Sequence, residues 1–189
     1  GFMFAPGYHS AMKYVGPVRK KIGKRTIFNL IGPLSNPAKV KRQVVGVFDK
    51  KLLKIFAEAL KNLNLKKALI VHSQDGLDEI SPYAKTDIVE LTNGKITESI
   101  LNPKDFEIKA DNFENIIGKG PEYNAGKIRE IFEGKDSDFS IAVCLNAAAG
   151  LVVAEKSKSF RDGYQDLRKH ILSGDVLNHI SKLAEWQIF

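Results

Sequence analysis

Three carboxylates crowd the segment Asp75-Gly76-Leu77-Asp78-Glu79, and the last two are adjacent. Such a pair suits a hard divalent cation. Mg²⁺ keeps several waters, takes one or two protein carboxylates and completes its shell with the phosphates of a substrate. By spacing alone a solvated acidic turn is the default reading of the segment, since loops are the ordinary place for surface charge. Arg19 is the second candidate, because a guanidinium stays charged and can hold a carboxylate through two parallel hydrogen bonds. Its neighbours Lys20, Lys21, Lys24 and Arg25 offer the same sign, so a surface ion pair is the competing use. His9 is a weaker candidate. The four histidines stand apart, and no CxxC or HExxH spacing occurs, so a structural zinc site is not expected.

For Asp78 and Glu79 to act, the chain must hold them at a ligand-binding edge. Val44 to Phe48 reads as a short β-branched strand, Leu52 to Leu63 as an amphipathic helix and Ala68 to His72 as a buried strand, together a parallel βαβ unit. The acidic segment follows that second strand directly, where open α/β sheets bind their ligands. Asp87 to Leu91 and Lys95 to Ile100 flank Thr92-Asn93-Gly94, a hairpin signal that adds an antiparallel pair and makes the sheet mixed. Helices are expected over Tyr123 to Phe132, Ser137 to Ala154, Ser159 to Ser173 and Val176 to Ala184, with Gly134 and Gly174 as stops. Upstream, Ser10 to Val15 suits a helical turn. Pro17 to Ile22 suits a short helix ended by Gly23, and Thr26 can cap Ile27 to Ile31 before the turn-rich Gly32-Pro33-Leu34-Ser35-Asn36-Pro37. The expected fold class is α/β: a mixed central sheet with helices packed on it, one domain over residues 1–189.

With 189 residues, 43% hydrophobic and 27% charged, the chain can bury a sizeable core. Its most apolar run, Ile141 to Ala154, contains Asn146 and is rich in alanine, too short and too weakly hydrophobic to span a bilayer. Cys144 is the single cysteine, which excludes an intrachain disulfide and points to a cytoplasmic home. The net charge of +7 gathers in the first third, favouring an anionic partner but also suiting a solvated lysine-rich surface. Gly1-Phe2-Met3-Phe4-Ala5-Pro6 has neither the basic start nor the sustained apolar stretch of a signal peptide and reads as mid-domain sequence, so a longer parent is expected.

The blocks Tyr8-His9-Ser10-Ala11-Met12-Lys13-Tyr14-Val15-Gly16-Pro17-Val18-Arg19-Lys20, Arg25 through Pro37, Gly76-Leu77-Asp78-Glu79-Ile80-Ser81 and Leu145-Asn146-Ala147-Ala148-Ala149 occur in the order of one family. The chain strongly resembles the anthranilate phosphoribosyltransferases. The resemblance implies the large domain of the nucleoside phosphorylase/phosphoribosyltransferase fold and one step of tryptophan biosynthesis. In that step the amine of anthranilate attacks C1 of phosphoribosyl pyrophosphate and pyrophosphate leaves. It implies further that Asp78 and Glu79 bind Mg²⁺ with the donor and that Arg19 holds the anthranilate carboxylate. His9, Met12, Tyr14, Gly32 and Pro33 would line the acceptor's passage. Ser10 departs from a frequent proline and Tyr123 from a frequent glutamate. The family's Gly-Thr-Gly-Gly-Asp loop, Lys-His-Gly-Asn segment and small helical domain would all precede Gly1, so the chain by itself is expected to fold without turning over substrate. A homodimeric parent is implied, with a glutamine amidotransferase fused or associated in some members. Two other readings compete: a nucleic-acid-binding relative, motivated by the basic first third but lacking interleaved aromatics, and a pyrimidine nucleoside phosphorylase, which leaves the Arg19 block unexplained. Neither a nucleic acid nor a membrane is expected as partner.

Overall fold

The computed structural model describes residues 8, 14, 16, 18, 21–24, 26–108, 110 and 112–186. The chain divides into two compact units, residues 1–41 and 42–189. Within the first, α1 (Phe28–Ile31) is a single turn that runs straight into a 3₁₀ turn over Gly32–Leu34. Thr26 was expected to cap this helix and does not. Ile27 already has helical backbone angles (φ −53°, ψ −29°), so no extended residue carries a side chain over the first free N–H groups. The carboxamide oxygen of Asn29 instead accepts the Thr26 N–H at 2.9 Å. At the other end the Ser35 hydroxyl donates to the Ile31 carbonyl at 2.9 Å.

The sheet lies in the second unit. Its strands β1 (Arg42–Gly46), β2 (Lys67–Ser73), β3 (Thr86–Thr92) and β4 (Lys95–Leu101) are ordered as in the sequence. β1 and β2 are parallel, joined through α2 (Leu52–Asn62), and the other two pairings are antiparallel. The β3–β4 turn uses Asn93 (φ 49°) and Gly94 (φ 82°), the left-handed pair that matches strand twist and that few other residues adopt. β1 begins two residues earlier than its apolar run, because the polar Arg42 and Gln43 pair with Lys67 and Ala68. The Val47 N–H still reaches the Val71 carbonyl at 3.0 Å, but the chain then turns at Asp49, whose carboxylate accepts the Lys51 N–H.

Strand alternation gives the sheet two apolar faces. α2 presents Leu53, Phe56, Ala57 and Leu60, one helical stripe, to the face carrying Ala68, Ile70, Val89 and Leu91. Leu69, Val71 and Ile88 point the other way, into a core shared with Ile141, Cys144, Leu145 and Ala148 of α4 (Asp138–Val153). α3 (Pro121–Phe132), α5 (Phe160–Leu172) and α6 (Asp175–Trp186) complete this second layer. Ser137 and Ser140 form a reciprocal cap at the start of α4, and Ser159 caps α5 through the Asp162 N–H. Gly134 and Gly174 take φ of 89° and 77° just past α3 and α5, as expected of helix stops. Two 3₁₀ turns, Pro103–Phe106 and Phe113–Ile116, were not foreseen; Asn102 and Asn112 cap them with side-chain oxygens. Among the described residues no helix is long and apolar enough to cross a membrane.

Candidate functional site

The loop after β2 is built on Ser73, a fully buried residue. Its N–H donates to the Leu77 carbonyl at 2.9 Å and its carbonyl accepts the Gly76 N–H at 2.9 Å, so the chain doubles back at once. Gly76 permits this with φ 96°. The Ser73 hydroxyl donates to the Glu79 carbonyl at 2.7 Å, accepts the Ser81 N–H at 3.0 Å and lies 2.6 Å from the Thr86 hydroxyl. One buried oxygen therefore gathers both ends of the loop. Removing it leaves the Glu79 carbonyl and the Ser81 N–H without that partner, which costs about 1–3 kcal/mol. Ser73→Ala is expected to lose stability of that order in urea unfolding; a change below about 0.5 kcal/mol, the usual size for a surface site, would contradict this role.

The three carboxylates separate by function. Asp75 is occupied: its Oδ2 accepts the Ser81 hydroxyl at 2.5 Å and its Oδ1 the Leu77 N–H at 3.3 Å. Asp78 and Glu79 are exposed side by side. Partial burial, and then the neighbouring Asp78 carboxylate, raise the Glu79 pKa above the ordinary glutamate value. A divalent cation shared by the two would offset that repulsion, so the pair fits Mg²⁺. Among the described residues no cluster of three or more His, Cys, Asp or Glu occurs that could enclose a metal. An open two-carboxylate site completed by water and phosphate oxygen suits magnesium better than a closed zinc cage.

Two residues beside the pair were not singled out by the sequence. Gly46 of β1 faces Asp78 so closely that an added Cβ would lie 1.5 Å from the Asp78 carbonyl oxygen. A glycine inside the run Val44-Val45-Gly46-Val47 is a signal of close backbone approach that could have been read. Asn146, midway along α4, accepts the Ile80 N–H at 2.9 Å and donates to the Ile80 carbonyl at 3.0 Å. Both belong to the lining of a cavity of about 690 Å³, together with Asp78, Glu79, Lys127 and apolar side chains such as Phe139. Lys127 is held by Glu130 at 3.0 Å.

Of the other expected site residues, Tyr14 and Gly32 are exposed and Pro33 is half-buried, all in the first unit. His9, Met12 and Arg19 lie outside the described residues.

The family model described as "Glycosyl transferase family, a/b domain" matches residues 1–177. The chain belongs to this glycosyl transferase family. A relative in Pelagibacter ubique (strain HTCC1062), named anthranilate phosphoribosyltransferase, is 62% identical over 183 residues, covering 97% of this chain and 56% of its own length. Among solved structures of such glycosyl transferases, the anthranilate phosphoribosyltransferase of Thermus thermophilus superposes with a TM-score of 0.86 at 37% identity, covering 96% of this chain and 54% of that one. The Saccharomyces cerevisiae enzyme in complex with PRPP and Mg gives a TM-score of 0.79 at 26% identity, covering 90% and 49%. This glycosyl transferase chain thus spans about half the length of the curated relatives it matches. Its fold is that of the phosphoribosyltransferase/nucleoside phosphorylase group, as its motifs implied.

Proposed function

We propose that the protein transfers the phosphoribosyl group of phosphoribosyl pyrophosphate to the amine of anthranilate, a step of tryptophan biosynthesis. The observation that carries this reading is the outward-facing Asp78-Glu79 pair, in a chain 62% identical over 97% of its length to a relative bearing that name. The bond from ribose C1 to pyrophosphate breaks, a bond from the anthranilate nitrogen to C1 forms, and the nitrogen gives up a proton. Asp78 and Glu79 hold Mg²⁺ against the donor phosphates, and when bound the metal offsets charge growing on the leaving pyrophosphate. Arg19 takes the anthranilate carboxylate and orients the amine, while His9, Met12, Tyr14, Gly32 and Pro33 line its passage. No residue is needed as a covalent nucleophile, since positioning and charge stabilisation carry the reaction. In the same reading this chain is the α/β portion of a larger cytoplasmic transferase that forms a homodimer and in some forms works with a glutamine amidotransferase.

The direct test is consumption of anthranilate, followed by its fluorescence, by the protein at its natural length with phosphoribosyl pyrophosphate and Mg²⁺. No consumption would overturn the reading. Arg19→Ala is expected to raise the KM for anthranilate roughly 10- to 100-fold, the equivalent of about 1.5–3 kcal/mol for a hydrogen-bonded charge pair. The KM for phosphoribosyl pyrophosphate should barely change, and equal effects on both substrates would remove Arg19 from the acceptor site.

A further inference from the structure

We propose that Asn146 is a positioning residue for the Asp78-Glu79 pair, acting through the backbone of Ile80; this rests on the function proposed above. Asparagine is a poor choice for the middle of a helix, because its side chain competes for backbone hydrogen bonds. Here every hydrogen bond recorded for its amide goes to main chain: Oδ1 to the Ile80 N–H at 2.9 Å, Nδ2 to the Ile80 carbonyl at 3.0 Å and to the Ala142 carbonyl at 3.0 Å. The two contacts to Ile80 clamp one residue from both its donor and its acceptor.

Ile80 itself is 1% exposed and anchored in the core that α4 shares with the sheet. The residue before it is Glu79, whose carbonyl is held by Ser73 at 2.7 Å. The Glu79–Ile80 peptide is therefore held at both of its polar groups by different elements: its carbonyl by the end of β2 through Ser73, and its N–H by α4 through Asn146. The neighbouring Asp78 backbone abuts Gly46. The carboxylates remain free to meet a cation while the peptide that follows Glu79 is held in place. Groups that orient metal ligands without touching the metal typically alter affinity by about 10- to 100-fold when removed. Asn146 has that relation to Glu79, with its amide engaged by the clamp and directed at backbone.

The test uses the protein at its natural length and Mn²⁺ as a spectroscopic stand-in for Mg²⁺. Free Mn²⁺ is read by electron paramagnetic resonance with phosphoribosyl pyrophosphate present, at a temperature where each variant is folded. Asn146→Ala, and Asn146→Ser, which can still bond the Ala142 carbonyl but cannot reach Ile80, are both expected to weaken Mn²⁺ binding roughly 10-fold. Ile141→Val in the same helix is the control: it lowers the melting temperature without touching the clamp and should leave Mn²⁺ affinity as in wild type. Wild-type binding with unchanged affinity in both Asn146 variants would overturn the proposal alone. So would loss of fold in both, which would make Asn146 a stability residue. Absence of Mn²⁺ binding by the wild type would overturn the function reading as well.

Discussion

Asp78→Asn combined with Glu79→Gln is expected to remove magnesium-dependent use of phosphoribosyl pyrophosphate while leaving the fold in place. A bound metal supplies several kcal/mol of charge stabilisation to a departing phosphate group. Its loss should therefore lower kcat/KM for the donor by roughly 100- to 1,000-fold or more, at about 1.4 kcal/mol per tenfold. Stability should change little, because both side chains are exposed. Exposed substitutions of this kind usually stay within about 0.5 kcal/mol. The loop is held instead by the Ser73 hydroxyl, the Asn146 amide and the Asp75 carboxylate. The amides also remove the two adjacent like charges; burial, and then the Asp78 carboxylate, raise the Glu79 pKa in the wild type. Magnesium titrations of the initial rate, with thermal melts alongside, decide the matter. A double variant that keeps the wild-type magnesium dependence would place the metal elsewhere.

Gly46→Ala should be damaging at a position where local rules forecast the reverse. Glycine inside a strand costs conformational entropy, so alanine there ordinarily stabilises by roughly 0.5–1 kcal/mol. At Gly46 the new Cβ would stand 1.5 Å from the Asp78 carbonyl oxygen and 2.6 Å from its carbon, and both are backbone atoms with no rotamer to change. Either β1 or the acidic loop must move. Overpacking of this sort typically costs about 1–3 kcal/mol. A displacement of the carboxylate-bearing loop by about 1 Å is enough to reduce turnover about 100-fold. The variant is expected to unfold at lower urea and to lose donor-dependent turnover, with Gly46→Val worse on both. A stabilised and active Gly46→Ala would show that β1 and the loop do not meet as described.

Much of the scaffold follows from signals that act over a few residues. Asn93-Gly94 favours a tight left-handed turn between two β-rich runs, so the β3–β4 hairpin was legible, while its register, with Thr92 paired to Lys95, was not read from sequence. The stripe Leu53, Phe56, Ala57, Leu60 identified a helix between two strands, and a helical crossover makes those strands parallel. Ser137, Ser159, Gly134 and Gly174 marked helix ends because a cap is a local hydrogen bond or a local backbone angle. The adjacency of Asp78 and Glu79, and their place directly after β2, were also a matter of sequence alone.

Tertiary structure decided which acidic groups remain available. Asp75 looked like its two neighbours until Ser81, brought back by the turn at Gly76, took its carboxylate. Besides Ser73, the neighbours of the Asp78-Glu79 backbone are remote in the chain: Gly46 lies across the parallel crossover, and Asn146 sits 66 residues beyond Ile80. No local propensity encodes such contacts, because their geometry exists only once the two sheet faces have been covered by α2 and α4. The same holds for Thr26, a sound cap by residue type that the helical angles of Ile27 left without that task. Short-range chemistry chose the elements and presented the carboxylates; the turn at Gly76 let Ser81 engage Asp75, and long-range packing held the backbone beside the other two.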